Sequence, residues 1–410
     1  MKRYVIISLV SFLFACQTPT KEKNQDFISE NIAFARKQMG GAIDVIENSG
    51  KTLNPVMLNA DGSVYYCNYS DWRSGFFPGS VWYLYELSGD ATLLPVAVKY
   101  TEAIREAQYL TWHHDIGFII GCSFGNGLRL TGNPEYKEVI VQAARSLSTR
   151  FHKIPGIIQS WNVDRGWTSE RGWECPVIID NMMNLELLFD ATTITGDSSF
   201  YQIAVSHAGR TLQDAFRPDG SCYHVIDYSI SDGRIRNRHT AQGYSHESTW
   251  SRGQAWAIYG YTATYRATND RRYLEQALKT FHFMKNHPNM PADKIPYWDM
   301  DAPKIPDELR DASSAAIIAS ALYEISTMDV PDPELYAGYA DGILVTLASP
   351  AYRAAPGTNG NFLLMHSVGS IPHNTDVDVP LNYADYYFLE ALSRKATSSG
   401  IPPAKPQTGF

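Results

Sequence analysis

Apolar residues recur along this chain in two alternating kinds of segment. In one kind, Leu94, Ala97, Val98 and Thr101, then Val139, Ala143, Leu147 and Phe151, then Leu274, Ala277, Leu278 and Phe281 return at helical spacing with polar residues between them. That period predicts helices with one buried stripe and one wet face. In the other kind, residues 76–87, 117–130, 181–194 and 253–267 are rich in Gly, Trp, Tyr and Met and poor in charge, as helices buried on most sides are. Short junctions join the second kind to the first: Ser88-Gly89-Asp90, Thr131-Gly132-Asn133, Thr195-Gly196-Asp197 and Thr268-Asn269-Asp270, with a looser copy at Asp329 to Tyr336. Gly or Asn there takes the left-handed position that ends one helix, and the Asp or Asn after it caps the next. Each junction predicts a tight helical hairpin.

A starting helix near Phe27 to Glu47, a fifth inner helix near Ala312 to Ser326 and a closing one at Tyr383 to Arg394 bring the total to about twelve, alternately inner and outer. Six hairpins closing on themselves make an all-α fold, an (α/α)6 toroid or barrel, over residues 28–395. Its long connections, 109–115, 152–180, 217–252, 287–311 and 350–385, all fall on one rim, and function is expected there. Inner helices start at that rim, so their positive ends favour an anionic ligand.

The two ends depart from the pattern. Met1-Lys2-Arg3 precedes a short apolar run from Tyr4 that ends in Leu13-Phe14-Ala15-Cys16. This is an export signal rather than a spanning helix, which takes about 20 apolar residues. Leu-Phe-Ala-Cys resembles the bacterial lipobox, so residues 1–15 are expected to be a lipoprotein signal peptide, Cys16 the lipidated residue and 16–27 a polar tether. The expected location is periplasmic or on the outer membrane of a Gram-negative bacterium, with a lipid anchor as the only membrane contact. Residues 396–410, rich in Ser, Pro and Gly, predict a mobile tail.

Composition narrows the function. Hydrophobic residues at 44% and charged ones at 19% of 410 supply a large core and exclude general disorder. The balance of 35 Lys+Arg against 43 Asp+Glu, without a basic cluster, speaks against a nucleic-acid partner. Cys67, Cys122, Cys175 and Cys222 stand far apart without a C-x-x-C pair, which predicts buried thiols and no metal.

Polar candidates concentrate on the expected functional rim. Asp115 and Asp180 each stand at an inner-helix start, where they either cap the helix or form a carboxyl pair for acid/base work on sugars. Apolar walls and a neighbouring negative charge would keep one of them protonated. Trp72 and Trp161 are core rings or stacking platforms. Arg252, near Trp250 and Trp256, offers its guanidinium to a carboxylate or holds the inner ring through a buried ion pair. His224 reads as a half-buried histidine, and adjacent His113 and His114 are expected to point to different faces without a third metal ligand.

Five motifs then occur in order: Asp71-Trp-Arg-Ser-Gly-Phe-Phe-Pro-Gly79, His114-Asp-Ile-Gly-Phe118, Ile179-Asp-Asn-Met-Met-Asn184, Gln242 to Trp256, and Tyr383 to Leu392. From about residue 28 to 395 the chain resembles the unsaturated glucuronyl hydrolases, glycoside hydrolase family 88. The resemblance implies a six-hairpin barrel that removes the 4,5-unsaturated uronic acid left by polysaccharide lyases at the non-reducing end of oligosaccharides, by hydrating the C4=C5 vinyl ether and without a cofactor. It makes Asp180 the general acid/base and Asp115 the second essential aspartate. It also places His224, Gln242, Arg252, Trp256, His114, Trp72 and Trp161 around the unsaturated ring.

In the family a loop before the last inner helix helps recognise sulfate on the neighbouring sugar. Here Ser367 and Ser370 are its candidate donors, while Pro372 stands where a lysine is expected and Asp376 and Asp378 oppose an anion. Glycosaminoglycan disaccharides from chondroitin, hyaluronan or heparan are expected ahead of alginate, gellan or ulvan fragments, with unsulfated or lightly sulfated forms first. Two other readings stay open: an unsaturated rhamnogalacturonyl hydrolase acting on pectin fragments, and a surface lipoprotein that binds glycans without turnover.

Overall fold

The computed structural model describes residues 18–401; the expected signal peptide, Cys16 and the end of the expected tail lie outside them. Helix α1 (Thr18–Asn48) is followed by α2 (Phe76–Ser88), α3 (Leu93–Glu102), α4 (Ile116–Ile120), α5 (Asn126–Thr131), α6 (Pro134–Ser148), α7 (Leu185–Thr195), α8 (Ser198–Asp214), α9 (Ser251–Thr268), α10 (Arg271–Asn286), α11 (Ala312–Ile325), α12 (Pro333–Leu347) and α13 (Asn382–Ser398). Helices α2, α4 with α5, α7, α9, α11 and α13 form the inner ring, which closes where α13 packs on α2. The others surround it, giving the (α/α)6 barrel. The inner helices are buried nearly throughout, from Ser251 to Thr264 in α9 and from Ala312 to Tyr323 in α11.

Three of the four close junctions follow the predicted chemistry in full, while at the first Asp90 accepts the Thr92 N–H ahead of α3 and does not cap that helix. Gly89, Gly132, Gly196 and Asn269 end their inner helices with φ between 56° and 75°. Asn133, Asp197 and Asp270 then accept a backbone N–H at 3.1, 2.8 and 3.1 Å to start the outer ones. The looser fifth junction has no left-handed residue, but Asp332 caps α12 in the same way.

Four expectations need correction. The segment 116–131 is not one helix: Gly121–Gly125 forms a π turn between α4 and α5. Helix α1 begins at Thr18, so most of the expected tether is helical. The chain does not loosen at Ala396, because α13 continues to Ser398 and both Ala396 and Ile401 are buried. The rim is not only loop. It carries β1 (Asn54–Leu58) paired with β2 (Val64–Cys67), β3 (Phe151–His152) with β4 (Ile157–Ile158), a sheet of β5 (Cys175–Ile178), β6 (Val225–Tyr228) and β7 (Ile235–His239), and a hairpin of β8 (Ser367–Ser370) and β9 (Thr375–Val379). All the pairings are antiparallel. These strands stiffen the connections that carry the polar candidates.

The four cysteines Cys67, Cys122, Cys175 and Cys222 are free and buried. No helix among the described residues is long and apolar enough to cross a membrane.

Candidate active site

Asp115 precedes α4, and Asp180 lies in the 3-10 turn Ile179–Asn184 that leads into α7. Neither side chain caps its helix, so both carboxyls are free for other work. The two helix starts meet because residue 117 is glycine: a Cβ there would sit 2.5 Å from the Cα of Asn184. Across that contact the Phe118 N–H donates to Asn184 Oδ1 at 2.9 Å. As a result Asp115 and Asp180 line one cavity of about 440 Å³, at the rim where the long connections converge.

Their environments drive the two carboxyls apart. Burial pushes Asp180 up to about 7; Arg252 and His114 oppose this, and the charge of Asp115 adds to it. Burial acts on Asp115 too, but His114 and then His113 outweigh it and hold that carboxyl well below the usual range. His114 Nε2 lies 3.1 Å from Asp115 Oδ1 and His113 Nδ1 lies 3.2 Å from Oδ2. The adjacent histidines therefore converge on one carboxylate instead of pointing apart. At neutral pH the cavity presents one ionised carboxylate and one that still carries a proton part of the time.

Behind Asp180 stands His224, its Nε2 3.7 Å from Asp180 Oδ2. The amide hydrogens of Ala241 and Gln242 are donated to His224 Nδ1 at 3.1 and 3.3 Å. Burial and the charge of Arg252 keep this ring neutral, so its single hydrogen is on Nε2, facing the acid. Neither that Nε2 nor Asp180 Oδ2 has a hydrogen-bond partner among the described residues. The same is true of His114 Nδ1. Buried polar atoms without partners are costly, and their gathering here marks where a polar ligand would satisfy them.

The structure sorts the other candidates. Trp72, Trp161, Gln242, Arg252 and Ser370 line the cavity together with the two aspartates. Arg252, however, offers no free fork. It donates to the carbonyls of Val368 and Gly369 in β8, lies 3.4 Å from Asp311, and stacks 4.6 Å from the Trp250 ring. The ion-pair reading holds, and the guanidinium acts on the site through its charge. Gln242 donates to the carbonyl of Gly369 at 3.3 Å, which ties the α9 approach to the same hairpin. Trp256 is a correction: it is fully buried, touches Phe118 and Tyr387 at 5.2 and 5.5 Å, and does not reach the cavity. Ser367 is likewise buried and off the wall. His114 and His224 act from behind the aspartates.

Several wall residues were not singled out from sequence. Arg73, inside the first motif, holds Asp71 at 2.9 Å and Asp376 at 2.8 Å, so the charge of the carboxylate expected to repel an anion is offset in part. Tyr383 belongs to the last of the five motifs and stands near the head of α13, while His373 in the β8–β9 turn and Thr375 at the start of β9 lie in the long connection 350–385. Trp167 lies in a connection without a periodic signal.

Comparison with known proteins identifies the family. A family model described as Glycosyl Hydrolase Family 88 matches residues 54–337. The chain is 47% identical over 326 residues to the unsaturated glucuronyl hydrolase of Formosa agariphila, covering 79% of this chain and 80% of that one. It is 30% identical over 384 residues to the unsaturated chondroitin disaccharide hydrolase of Streptococcus pyogenes serotype M1, covering 92% and 93%. Among solved structures, it matches the crystal structure of an unsaturated glucuronyl hydrolase specific for heparin with a TM-score of 0.87 and 44% identity, covering 92% of this chain and 99% of that one.

Proposed function

The chain belongs to glycosyl hydrolase family 88, and from that membership and the cavity's geometry we propose that Asp180 and Asp115 hydrate the C4=C5 double bond of an unsaturated uronic acid at the end of a glycosaminoglycan-type oligosaccharide. It is an enzyme of the unsaturated glucuronyl hydrolase type, as its motifs implied. The single observation that carries the reading is one cavity holding two carboxyls driven in opposite directions.

Protonated Asp180 gives its proton to C4 of the enol ether, and positive charge develops at C5 and the ring oxygen. Ionised Asp115 stabilises that charge in a site largely shielded from water. The Asp180 carboxylate then takes a proton from the water that adds at C5, which restores the acid. The hemiketal opens and releases the aglycone. Neutral His224 directs its Nε2 hydrogen to the Asp180 carboxylate formed midway. Because the new bonds form at C4 and C5, the rule linking carboxyl separation to retention or inversion at the anomeric carbon does not apply.

Heparin-type disaccharides come first as substrates, since the heparin-specific structure is 44% identical and the chondroitin disaccharide hydrolase of S. pyogenes 30%. The test is loss of the ultraviolet absorbance of the unsaturated uronate across a panel of lyase-generated disaccharides, with Asp180→Asn as control. Absence of turnover on every member, or turnover by the control, refutes the assignment. The basic start, short apolar run and Leu-Phe-Ala-Cys support export and anchoring through a lipid on Cys16. Loss of labelled-lipid incorporation in Cys16→Ala tests it.

A further inference from the structure

One cation at the mouth of the cavity has nothing to neutralise it. The 3-10 turn Gly166–Arg171 meets the turn of the β8–β9 hairpin beside the cavity. Trp167, 39% exposed, stands 5.0 Å from the ring of Trp161 and 4.8 Å from that of His373. Arg171 is exposed, with its guanidinium carbon 5.6 Å from the centre of Trp167 and 5.7 Å from that of Trp173. Its Nη2 lies 3.5 Å from His373 Nε2, and His373 Nδ1 faces Ser370 Oγ at 2.8 Å. No carboxylate among the described residues lies within 4.0 Å of it. The nearest acid in sequence on the strand side, Glu174, turns to Arg236 at 3.6 Å and accepts the Ile230 amide. Two indole rings orient this guanidinium without cancelling its charge.

This inference rests on the function proposed above. With the unsaturated ring against Asp180 and Asp115, the aglycone sugar leaves through the mouth and passes along Trp161 and Trp167. We propose that Arg171, with His373, receives a sulfate on the aglycone amino sugar while Trp167 carries that sugar's ring. A planar fork matches two sulfate oxygens, and an exposed indole suits a pyranose face. The sequence argued for unsulfated or lightly sulfated aglycones because Pro372 stands where a lysine would bind sulfate and Asp376 and Asp378 oppose an anion. The structure supplies the cation from a different segment, which meets the β8–β9 turn at His373, and Arg73 offsets part of the repulsion expected from Asp376.

Initial rates on unsaturated disaccharides that are unsulfated, N-sulfated or 6-O-sulfated on the amino sugar test this in the full-length protein. For Arg171→Ala, KM is expected to rise about 10- to 100-fold on one sulfated substrate, with kcat little changed and the unsulfated substrate within about twofold of the parent. Which sulfated arm responds identifies the position read. Arg171→Lys, which keeps the charge but not the fork, is expected to recover part of the loss. Equal loss on all three substrates makes Arg171 structural and overturns the inference, as does an unchanged KM on both sulfated ones. In those two outcomes the proposed function survives. A parent enzyme that turns over no unsaturated disaccharide overturns both.

Discussion

The inner ring encloses a second cavity at its other mouth, of about 480 Å³, and the two invite comparison. Between them lies an aromatic layer: Trp72 and Tyr383 face the active cavity, Phe118 and Tyr387 face the other, Phe76 packs between Tyr383 and Phe118, and Trp256 meets Phe118 and Tyr387 edge-on. Both cavities hold a carboxyl pushed up to about 7 by burial, Asp180 in one and Glu186 in the other. A shifted acid therefore does not distinguish them. Partners do. In the second cavity Glu390 accepts hydroxyls of Tyr83, Ser320 and Tyr259 at 2.7, 2.6 and 3.0 Å, Arg394 reaches Glu324 at 2.9 Å, and Arg266 binds both Glu186 and Glu324. That network satisfies itself. In the active cavity Arg252 is turned away to backbone carbonyls, and Asp180, His224 and His114 keep unpartnered atoms. The first arrangement braces a barrel; the second waits for a substrate.

The largest effect that can break this contrast is on turnover. Asp180→Asn should lower kcat/KM on an unsaturated disaccharide by at least about 10³-fold, since it removes proton donor and acceptor together. Glu186→Gln, an equally shifted acid in the other cavity, should stay within about threefold. Comparable losses in both would mean that the networks do not separate chemistry from structure. Asp115→Asn should cost about 10²- to 10³-fold with little change in KM, because the charge it stabilises exists only after protonation.

Stability should respond in the opposite sense. Glu390→Ala leaves three hydroxyls and part of Arg394 without their acceptor in a buried site, at a cost of about 3 kcal/mol in chemical denaturation. Activity per folded molecule should stay near that of the parent. A stable Glu390→Ala protein with impaired kcat would assign catalytic work to the second cavity.

The alternation of helix types and the capped junctions were legible because both are local: period, left-handed glycine and capping aspartate act within a few residues of one another. The pairing of Asp115 with Asp180 was legible for the same reason, since each stands at an inner-helix start and all such starts share a rim. The fate of Arg252 was not, because it depends on carbonyls more than 110 residues away in β8. The reach of Trp256 was misread because residues 252 and 256 follow each other along the helix, so that one touches the cavity and the other packs a turn below it. The cluster of Trp167, Arg171 and His373 joins two aperiodic segments about 200 residues apart, and only their strands and turns bring them together.

The smallest expected effect sharpens the comparison through pH. In the unfolded chain Asp180 ionises near 4, whereas in the fold it does so at about 7. Folding thus favours the protonated form, and this residue contributes full stability below about pH 4 that is lost as pH rises to about 7, with no further change above. Asparagine cannot ionise, so Asp180→Asn should match the parent near pH 4, gain on it through that window, and melt roughly 2–5 °C higher at pH 8. Glu186→Gln should gain less, because its side chain is 35% exposed and already pairs with Arg266, an interaction the substitution removes. Parent activity should fall above pH 7 as Asp180 loses its proton, with no matching limb from Asp115, which stays ionised far below neutrality. An Asp180→Asn protein whose melting temperature tracks the parent from pH 4 to pH 8 would show that the carboxyl at 180 is not held protonated by its surroundings, and the acid would have to be sought elsewhere on the same wall.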